Sequence, residues 1–241
     1  MARRNSTLVI AACVAVLCTA TARAEKVETY AGLQGLVIVG DHRDAAGTQN
    51  GIGGGPLLEL HAATHRFAIH LEGIPVVGIP GVKPSVAYGQ ATPSIGIFNS
   101  QFEYEMNPSL RVGLGETIYN QRTPLPAINQ VVSSRLCGLR FAARYTRDTT
   151  NNHFIEGLAA ITPTLRGADR YVFSDGSPTT EKPERASSVE ISLALGYRRG
   201  STEWLFGLRH LNFAAQFVNT GEAADRNVGI GPMLEWRHYF K

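Results

Sequence analysis

Two histidines and two glutamates occur in a pattern that a metal site can use. The chain carries Glu59-x-His61 and, after a short turn, His70-x-Glu72. Imidazole and carboxylate groups are ordinary ligands of zinc and other transition metals. Alternation along a strand, however, places every second side chain on one face, and this alone brings all four groups together. We therefore predict no metal site and no cofactor here.

A second segment, Arg209 to Ala214, holds a histidine that can take part in acyl chemistry. It resembles the His-x-Ser-Asn-Ala segment of the outer-membrane lipid A deacylases, a family whose His and Ser form a catalytic pair with a downstream Glu. His210 and Ala214 match, but Asn212 stands where the family has serine, and Glu222 is not well spaced to act as the acid. A neighbouring imidazole cannot activate an amide to attack an ester. We predict no catalytic residues and no enzymatic activity, with a lipid-active enzyme that uses His210 as an alternative.

Charged and large apolar residues alternate along much of the chain. In the segment 189–198, odd positions are large and apolar, whereas even positions are small or charged. If the apolar face meets lipid, the other face lines a lumen. The residues predicted to face inward are Glu59, His61, His70, Glu72, Gln101, Glu103, Glu105, Arg111, Arg140, Arg144, Glu156, Glu190, Arg198, Arg209, Glu235 and Arg237. In a narrow barrel such residues pair and fill the interior, while a charged lining for a small-solute channel is the alternative.

Period-two alternation predicts ten strands and no helices. The segments are about 9–13 residues long, which suits a tilted membrane crossing. The predicted strands are 28–40, 52–62, 67–75, 97–106, 110–121, 135–147, 154–165, 187–199, 203–216 and 228–240.

The connections between these segments alternate between short and long. Short connections follow strands two, four, six and eight, at 63–66, 107–109, 148–153 and 200–202. Long connections are predicted at 41–51, 76–96, 122–134, 166–186 and 217–227. The residues 41–44 are interpreted as a charged loop tip, and 51–55 as a glycine-rich loop that enters a strand. Short turns on one side and long loops on the other are typical of outer-membrane barrels, and they predict that both termini are periplasmic.

Aromatic residues collect near the predicted short turns, which indicates a girdle at one membrane interface. The predicted inner girdle comprises Tyr30, Phe67, Tyr104, Tyr145, Phe154, Tyr197, Trp204 and Phe240. A weaker outer girdle is predicted from Phe98, Tyr119 and Phe217.

The first 24 residues have the pattern of an export signal. Arg3 and Arg4 precede an apolar run from Leu8 to Leu17, and Ala22-Arg23-Ala24 matches a signal-peptidase site. We predict cleavage after Ala24, and a lipoprotein site at Cys13 is the alternative. The predicted domains are therefore a signal peptide over 1–24 and a barrel over 25–241.

Removal of the signal makes the chain electrically neutral. Lys plus Arg falls from 23 to 20, against 20 Asp plus Glu. This balance gives no electrostatic basis for binding nucleic acid. Cys137 becomes the lone cysteine, so no internal disulfide is expected.

The whole mature sequence resembles the bacterial outer-membrane β-barrels, with a signal, alternating strands, alternating loop lengths and an aromatic C-terminal strand ending Tyr239-Phe240-Lys241. In that class the final residue is usually aromatic, whereas here the aromatic residue is penultimate. The resemblance implies outer-membrane lipids, lipopolysaccharide and the assembly machinery as partners, and a monomer. We predict an all-β, up-and-down antiparallel transmembrane β-barrel of ten strands, with eight strands as the alternative. The predicted function is that of a non-enzymatic structural or surface protein or a narrow pore. A soluble periplasmic barrel that binds an apolar ligand inside is a further alternative.

Overall fold

The computed structural model describes residues 28–44, 47–64, 66–79, 94–125, 130–172, 176–217 and 224–240, and it contains only β-strands as regular elements there. Within these ranges no helix is long and apolar enough to cross a membrane. The strands are β1 (Glu28–Asp44), β2 (Gly47–Ala63), β3 (Phe67–Ile79), β4 (Ser94–Asn107), β5 (Leu110–Leu125), β6 (Gln130–Asp148), β7 (His153–Thr162), β8 (Arg166–Val172), β9 (Pro178–Glu181), β10 (Pro183–Arg199), β11 (Thr202–Phe217) and β12 (Ala224–Phe240).

Ten of these strands form a closed antiparallel barrel. Each of β1 to β6 pairs with the next, β7 pairs with β10, and the ring continues through β11 and β12 back to β1. β8 continues the wall strand of β7 along the first part of β6, and β9, which pairs with β8, leads into β10, so the β8–β9 hairpin extends the β7–β10 pair. The prediction of a ten-stranded up-and-down barrel is confirmed, and the eight-stranded alternative is wrong.

The two faces of the barrel are inverted relative to a soluble protein. Outward leucines are well exposed, for example Leu193 at 62% and Leu58 at 66%, whereas inward Arg209 and Glu235 are 2% and 1% exposed. A soluble barrel with an apolar interior requires the reverse arrangement. The structure therefore contradicts the soluble ligand-binding alternative.

All four short connections between barrel strands are confirmed. The connection from β2 to β3 is closed by a hydrogen bond from Thr64 N to Phe67 O of 2.7 Å. Those after β4, β6 and β10 are short turns as well. Gly200 in the last of these turns has φ +63°, a left-handed conformation that glycine adopts without steric cost.

The opposite end of the barrel departs from the prediction, because the strands continue through segments interpreted as loops. Asp44 pairs with Gly47, so the predicted loop at 41–51 is wrong. The residues 41–44 belong to β1 and the glycines at 51–55 belong to β2. The segment 166–186 likewise contains β8 and β9 and the start of β10. Turn-forming residues remain extended here because a paired neighbour supplies backbone hydrogen bonds regardless of composition.

The inner girdle is confirmed in part. Six of its predicted members lie on the outward face near the short turns: Phe67, Tyr104, Tyr145, Tyr197, Trp204 and Phe240. Tyr30 and Phe154, 5% and 2% exposed, point into the lumen instead, because they share strand parity with inward polar residues. At the other end Phe98 is outward, but Tyr119 is inward, and the side chain of Phe217 lies outside the described residues.

Candidate functional site

The lumen holds two layers of ion pairs, and the inner layer lies near the short turns. Its centre is Glu156 on β7, which accepts hydrogen bonds from both Arg144 and Arg237. Arg237 binds it with two nitrogens, at 2.8 and 2.7 Å, and Arg144 Nη1 binds it at 3.0 Å. Arg237 also pairs with Glu235 on its own strand. This layer therefore joins β6, β7 and β12.

His61 and His70 also belong to the inner layer and stand directly opposite each other on β2 and β3. His70 Nδ1 lies 3.2 Å from Glu59 Oε1, and the Arg144 guanidinium lies 3.2 Å from the same ring. His61 stacks on Tyr30 with ring centroids 4.8 Å apart. A cation beside His70 opposes metal binding electrostatically. Among the described residues, no group of three or more His, Cys, Asp and Glu is arranged to hold a metal ion.

The outer layer is built around Arg209 on β11 and Arg140 on β6. Arg209 Nη2 lies 2.7 Å from Glu72 Oε1, and Arg209 Nη1 donates to Gln34 Oε1 at 2.9 Å. Both arginines also pair with Glu190, Arg140 at 2.8 Å. All of these side chains are buried, so each charge is neutralised within the lumen rather than by bulk water.

The face assignment made from alternation is confirmed for every residue in the predicted inward set. Twelve of them are buried, and His61, Glu105, Arg111 and Arg198 are half-buried. Arg111 pairs with Glu105 at 2.9 Å, and Arg198 with Glu203 at 2.6 Å.

Several inward polar residues were not identified from the sequence. Glu203 is 2% exposed and accepts a 2.9 Å hydrogen bond from the Tyr239 hydroxyl. Its parity with Arg209 on the same strand is the signal that could have identified it. Gln34 and Asn99 donate hydrogen bonds to Glu235 and Glu72, respectively. Because both residues are uncharged, the alternation of charged residues in the sequence does not identify them.

An apolar layer lies beyond the outer ion pairs, toward the end of the barrel opposite the short turns. Tyr119 and Phe213 stack face to face with centroids 3.6 Å apart. They form one buried cluster with Leu136, Leu165 and Ala186. Side chains thus occupy the described lumen from the inner ion pairs to this cluster.

The segment that resembles the deacylases lies on the outer surface of β11. His210 is opposite Ile191 and Ile230, while Asn212 is opposite Val189 and Val228. Both side chains are half-buried on the apolar exterior, and the part of the chain that the structure describes offers no hydrogen-bond partner to Asn212 Oδ1. The positions facing His210 therefore supply no nucleophile, and Glu222 lies outside the described residues.

Known proteins provide a structural comparison but no sequence match. No protein-family model and no curated protein matches this chain. The outer membrane protease OmpT from Escherichia coli is similar in structure, with a TM-score of 0.57 and 10% identity over 89% of this chain and 96% of that chain. A major outer membrane protein from Thermus thermophilus gives a TM-score of 0.41 and 10% identity over 89% and 99% of the two chains. The toluene transporter TodX of P. putida gives 0.37 and 9% identity over 89% and 90%. The chain thus has the fold of the bacterial outer-membrane β-barrels.

Proposed function

We propose that the protein is a non-enzymatic outer-membrane barrel with a closed lumen, acting as a structural or surface protein. The observation that carries this proposal is the buried ion-pair network that links opposite walls of the barrel. Arg209 on β11 reaches Glu72 on β3, and Arg144 on β6 reaches Glu59 on β2. Three strands lie between the partners of each pair by the shorter route around the barrel, so these pairs cross the lumen.

Such a network is a poor lining for a pore. A permeating ion would have to separate buried charge pairs, and leaving one buried charge uncompensated costs about 3–5 kcal/mol. The stacked Tyr119 and Phe213 add an apolar layer across the same path. Closure is therefore favoured over the narrow-pore alternative.

The exterior supports a location in the membrane. Leu193, Leu195 and Phe206 are each more than 60% exposed, and aromatic residues mark the short-turn end. A band of this kind stabilises a barrel in lipid but exposes apolar surface in water. We further propose that both termini lie in the periplasm, that the assembly machinery inserts the chain through its aromatic last strand, and that the barrel is a monomer.

Conductance in a planar bilayer tests closure. The wild-type protein is expected to give no stepwise current, whereas Arg209→Ala/Glu72→Ala, which removes one cross-lumen pair, is expected to increase leakage. Heat-modifiable mobility on a detergent gel verifies that both proteins are folded. Stable ohmic steps from the wild type would establish the narrow pore instead.

Mass spectrometry of lipid A tests the enzymatic alternative at His210. Incubation with the folded protein is expected to leave the acyl pattern unchanged, because Asn212 cannot serve as a nucleophile. His238→Ala, which alters another outward histidine, is the matched control for His210→Ala. Loss of an acyl chain with wild type and His238→Ala, but not with His210→Ala, would identify an enzyme.

A further inference from the structure

We propose that an arginine face on the outside of the barrel binds the phosphate groups of anionic lipids in the outer leaflet. The arginine face consists of Arg122 on β5, Arg135 on β6, and Arg166 and Arg170 on β8. All four side chains are exposed. The proposal rests on the membrane location proposed above and assigns a lipid site to that location.

Strand register brings these arginines together on the outward side. Ser133 is opposite Arg122 on one side and Arg170 on the other. Arg135 is two residues further along the same strand, and Arg166 is opposite Cys137, the next outward position. Directly paired residues in an antiparallel sheet have Cα atoms about 4.5–5.5 Å apart. The four guanidinium groups are therefore within reach of one phosphorylated headgroup.

The hairpin of β8 and β9 creates this face, since β8 contributes two of the four arginines. Gly167 permits the close approach of β8 to β6, because a Cβ at this position would lie 2.0 Å from the carbonyl oxygen of Arg135. The Ser133 hydroxyl also donates to the Arg170 carbonyl at 3.4 Å. The arrangement is thus tied to the barrel wall.

The height of the face matches the outer headgroup region. Tyr145 lies in the inner girdle on β6, and Arg135 is ten residues away on the same outward face. At about 3.3 Å per residue and a tilt near 40°, this separation is about 25 Å along the membrane normal, which equals the apolar band of such barrels. Leu139 and Phe141, 53% and 45% exposed, fill the space between.

The chemistry of the face favours phosphate. Outward register positions beside the arginines carry the neutral residues Asn120, Ser133, Cys137 and Ala168. Among the described side chains, the ion pairs of the chain do not involve Arg135, Arg166 or Arg170, and the carboxylate of Glu116, opposite Leu139 on the same outward side, is half-buried. Guanidinium groups bind phosphate oxygens in bidentate fashion, and anionic headgroups are the phosphate source at this height.

Titration of the folded, full-length barrel in detergent with bis-phosphorylated lipid A tests the proposal. The test variant is Arg135→Gln/Arg170→Gln. The matched control is Arg147→Gln/Arg199→Gln, which removes two exposed arginines near the short turns. Native mass spectrometry measures the lipid-bound fraction, and heat-modifiable gel mobility verifies folding.

The expected result is a Kd raised about 25-fold in the test variant, because each arginine near an anionic headgroup contributes about fivefold. The control variant should retain wild-type affinity, and dephosphorylated lipid A should bind all three proteins equally weakly. Equal binding by the wild type and the test variant, or equal loss in both variants, would overturn the proposal. Inorganic phosphate that binds as tightly as lipid A would also overturn it, by identifying a free-anion site. These outcomes are independent of the conductance result, so failure here and failure of the proposed closure are distinguishable.

Discussion

A single guanidinium group, that of Arg209, ties four barrel strands together. It contacts Gln34 on β1, Glu72 on β3 and Glu190 on β10 from its own position on β11. These charges depend on one another because each buried carboxylate has lost its contact with water and is stabilised by a guanidinium group instead. At the residue scale, stability depends on keeping partners together rather than on any one ion.

Arg209→Met is expected to lower the free energy of unfolding by about 3–5 kcal/mol, because Glu72 and Glu190 lose a buried counter-ion. The added Glu72→Gln substitution should recover part of this loss by removing one uncompensated charge, whereas Glu190 keeps Arg140 as a counter-ion. Urea unfolding in lipid vesicles, followed by tryptophan fluorescence, measures the change. Arg199→Met, at an exposed position, is the control and should change stability by less than about 0.5 kcal/mol. Equal effects of Arg209→Met and Arg199→Met would contradict the pairing argument.

At the element scale, β10 presents an apolar face to the exterior and a polar face to the lumen. Its outward residues Ile191, Leu193 and Leu195 are each more than half exposed, while Glu190 on the other face is 4% exposed. Near the short turn, Gly196 faces inward and leaves room for the Phe154 ring. The strand therefore combines a lipid face, an ionic face and a packing position.

The cost of charge on the lipid face should depend on depth along β10. Leu193→Arg, four residues beyond the girdle residue Tyr197, is expected to cost about 2–4 kcal/mol because it lies near the bilayer midplane. Ser187→Arg lies ten residues beyond Tyr197 on the same face and should cost about 0–1 kcal/mol because it reaches the headgroups. Urea titrations of folding in lipid vesicles measure the free-energy cost of both substitutions. A larger penalty for Ser187→Arg would show that the assigned bilayer position is wrong.

Gly196→Ala is expected to destabilise the barrel by about 1–3 kcal/mol through overpacking. A Cβ at this position would lie 2.2 Å from the Phe154 ring. The Cζ atom of Arg198 lies over the same ring, 4.7 Å from its centroid. Gly73→Ala is the control, since no atom lies within 4 Å of its Cβ position. The temperature at which half of the protein changes from folded to unfolded mobility on a detergent gel measures both changes in stability. A loss of stability in Gly73→Ala equal to that in Gly196→Ala would point to strand flexibility rather than to the ring contact.

At the scale of the whole molecule, the barrel has two unlike ends. Turns after β2, β4, β6 and β10 close one end within a few residues, whereas strands at the other end extend further and carry the β8–β9 hairpin. The girdle aromatics lie at the short-turn end. This asymmetry supports the proposed orientation, with the extended end outside the cell.

Cysteine labelling on intact cells tests that orientation in a Cys137→Ser background. Lys182→Cys, an exposed position just before β10, should react with a membrane-impermeant maleimide in intact cells. Asn151→Cys, exposed in the turn after β6, should react only after the outer membrane is broken. The reverse pattern would place the termini outside the cell, and equal labelling of both positions would contradict a membrane-spanning barrel.

Alternation in the sequence determined the ten barrel strands, the four short turns and the inward set from Glu59 to Arg237. It could do so because a strand's side chains alternate strictly, so one residue of known polarity fixes the face of all the others. The girdle prediction failed where position along the strand was weighed above parity. Tyr30 and Phe154 lie at the girdle level but share parity with Gln34 and Glu156, and they face inward with them.

The tertiary structure alone decided how far the strands extend and which charges meet. Residues 41–44 and 51–55 remain extended because neighbouring strands pair with them, a long-range effect that local composition does not contain. The partners of Arg209 are distant in sequence, and closure of the barrel brings them together. The arginine face likewise depends on β8 continuing alongside β6 beyond the end of β7, a pairing that no local pattern in the sequence specifies.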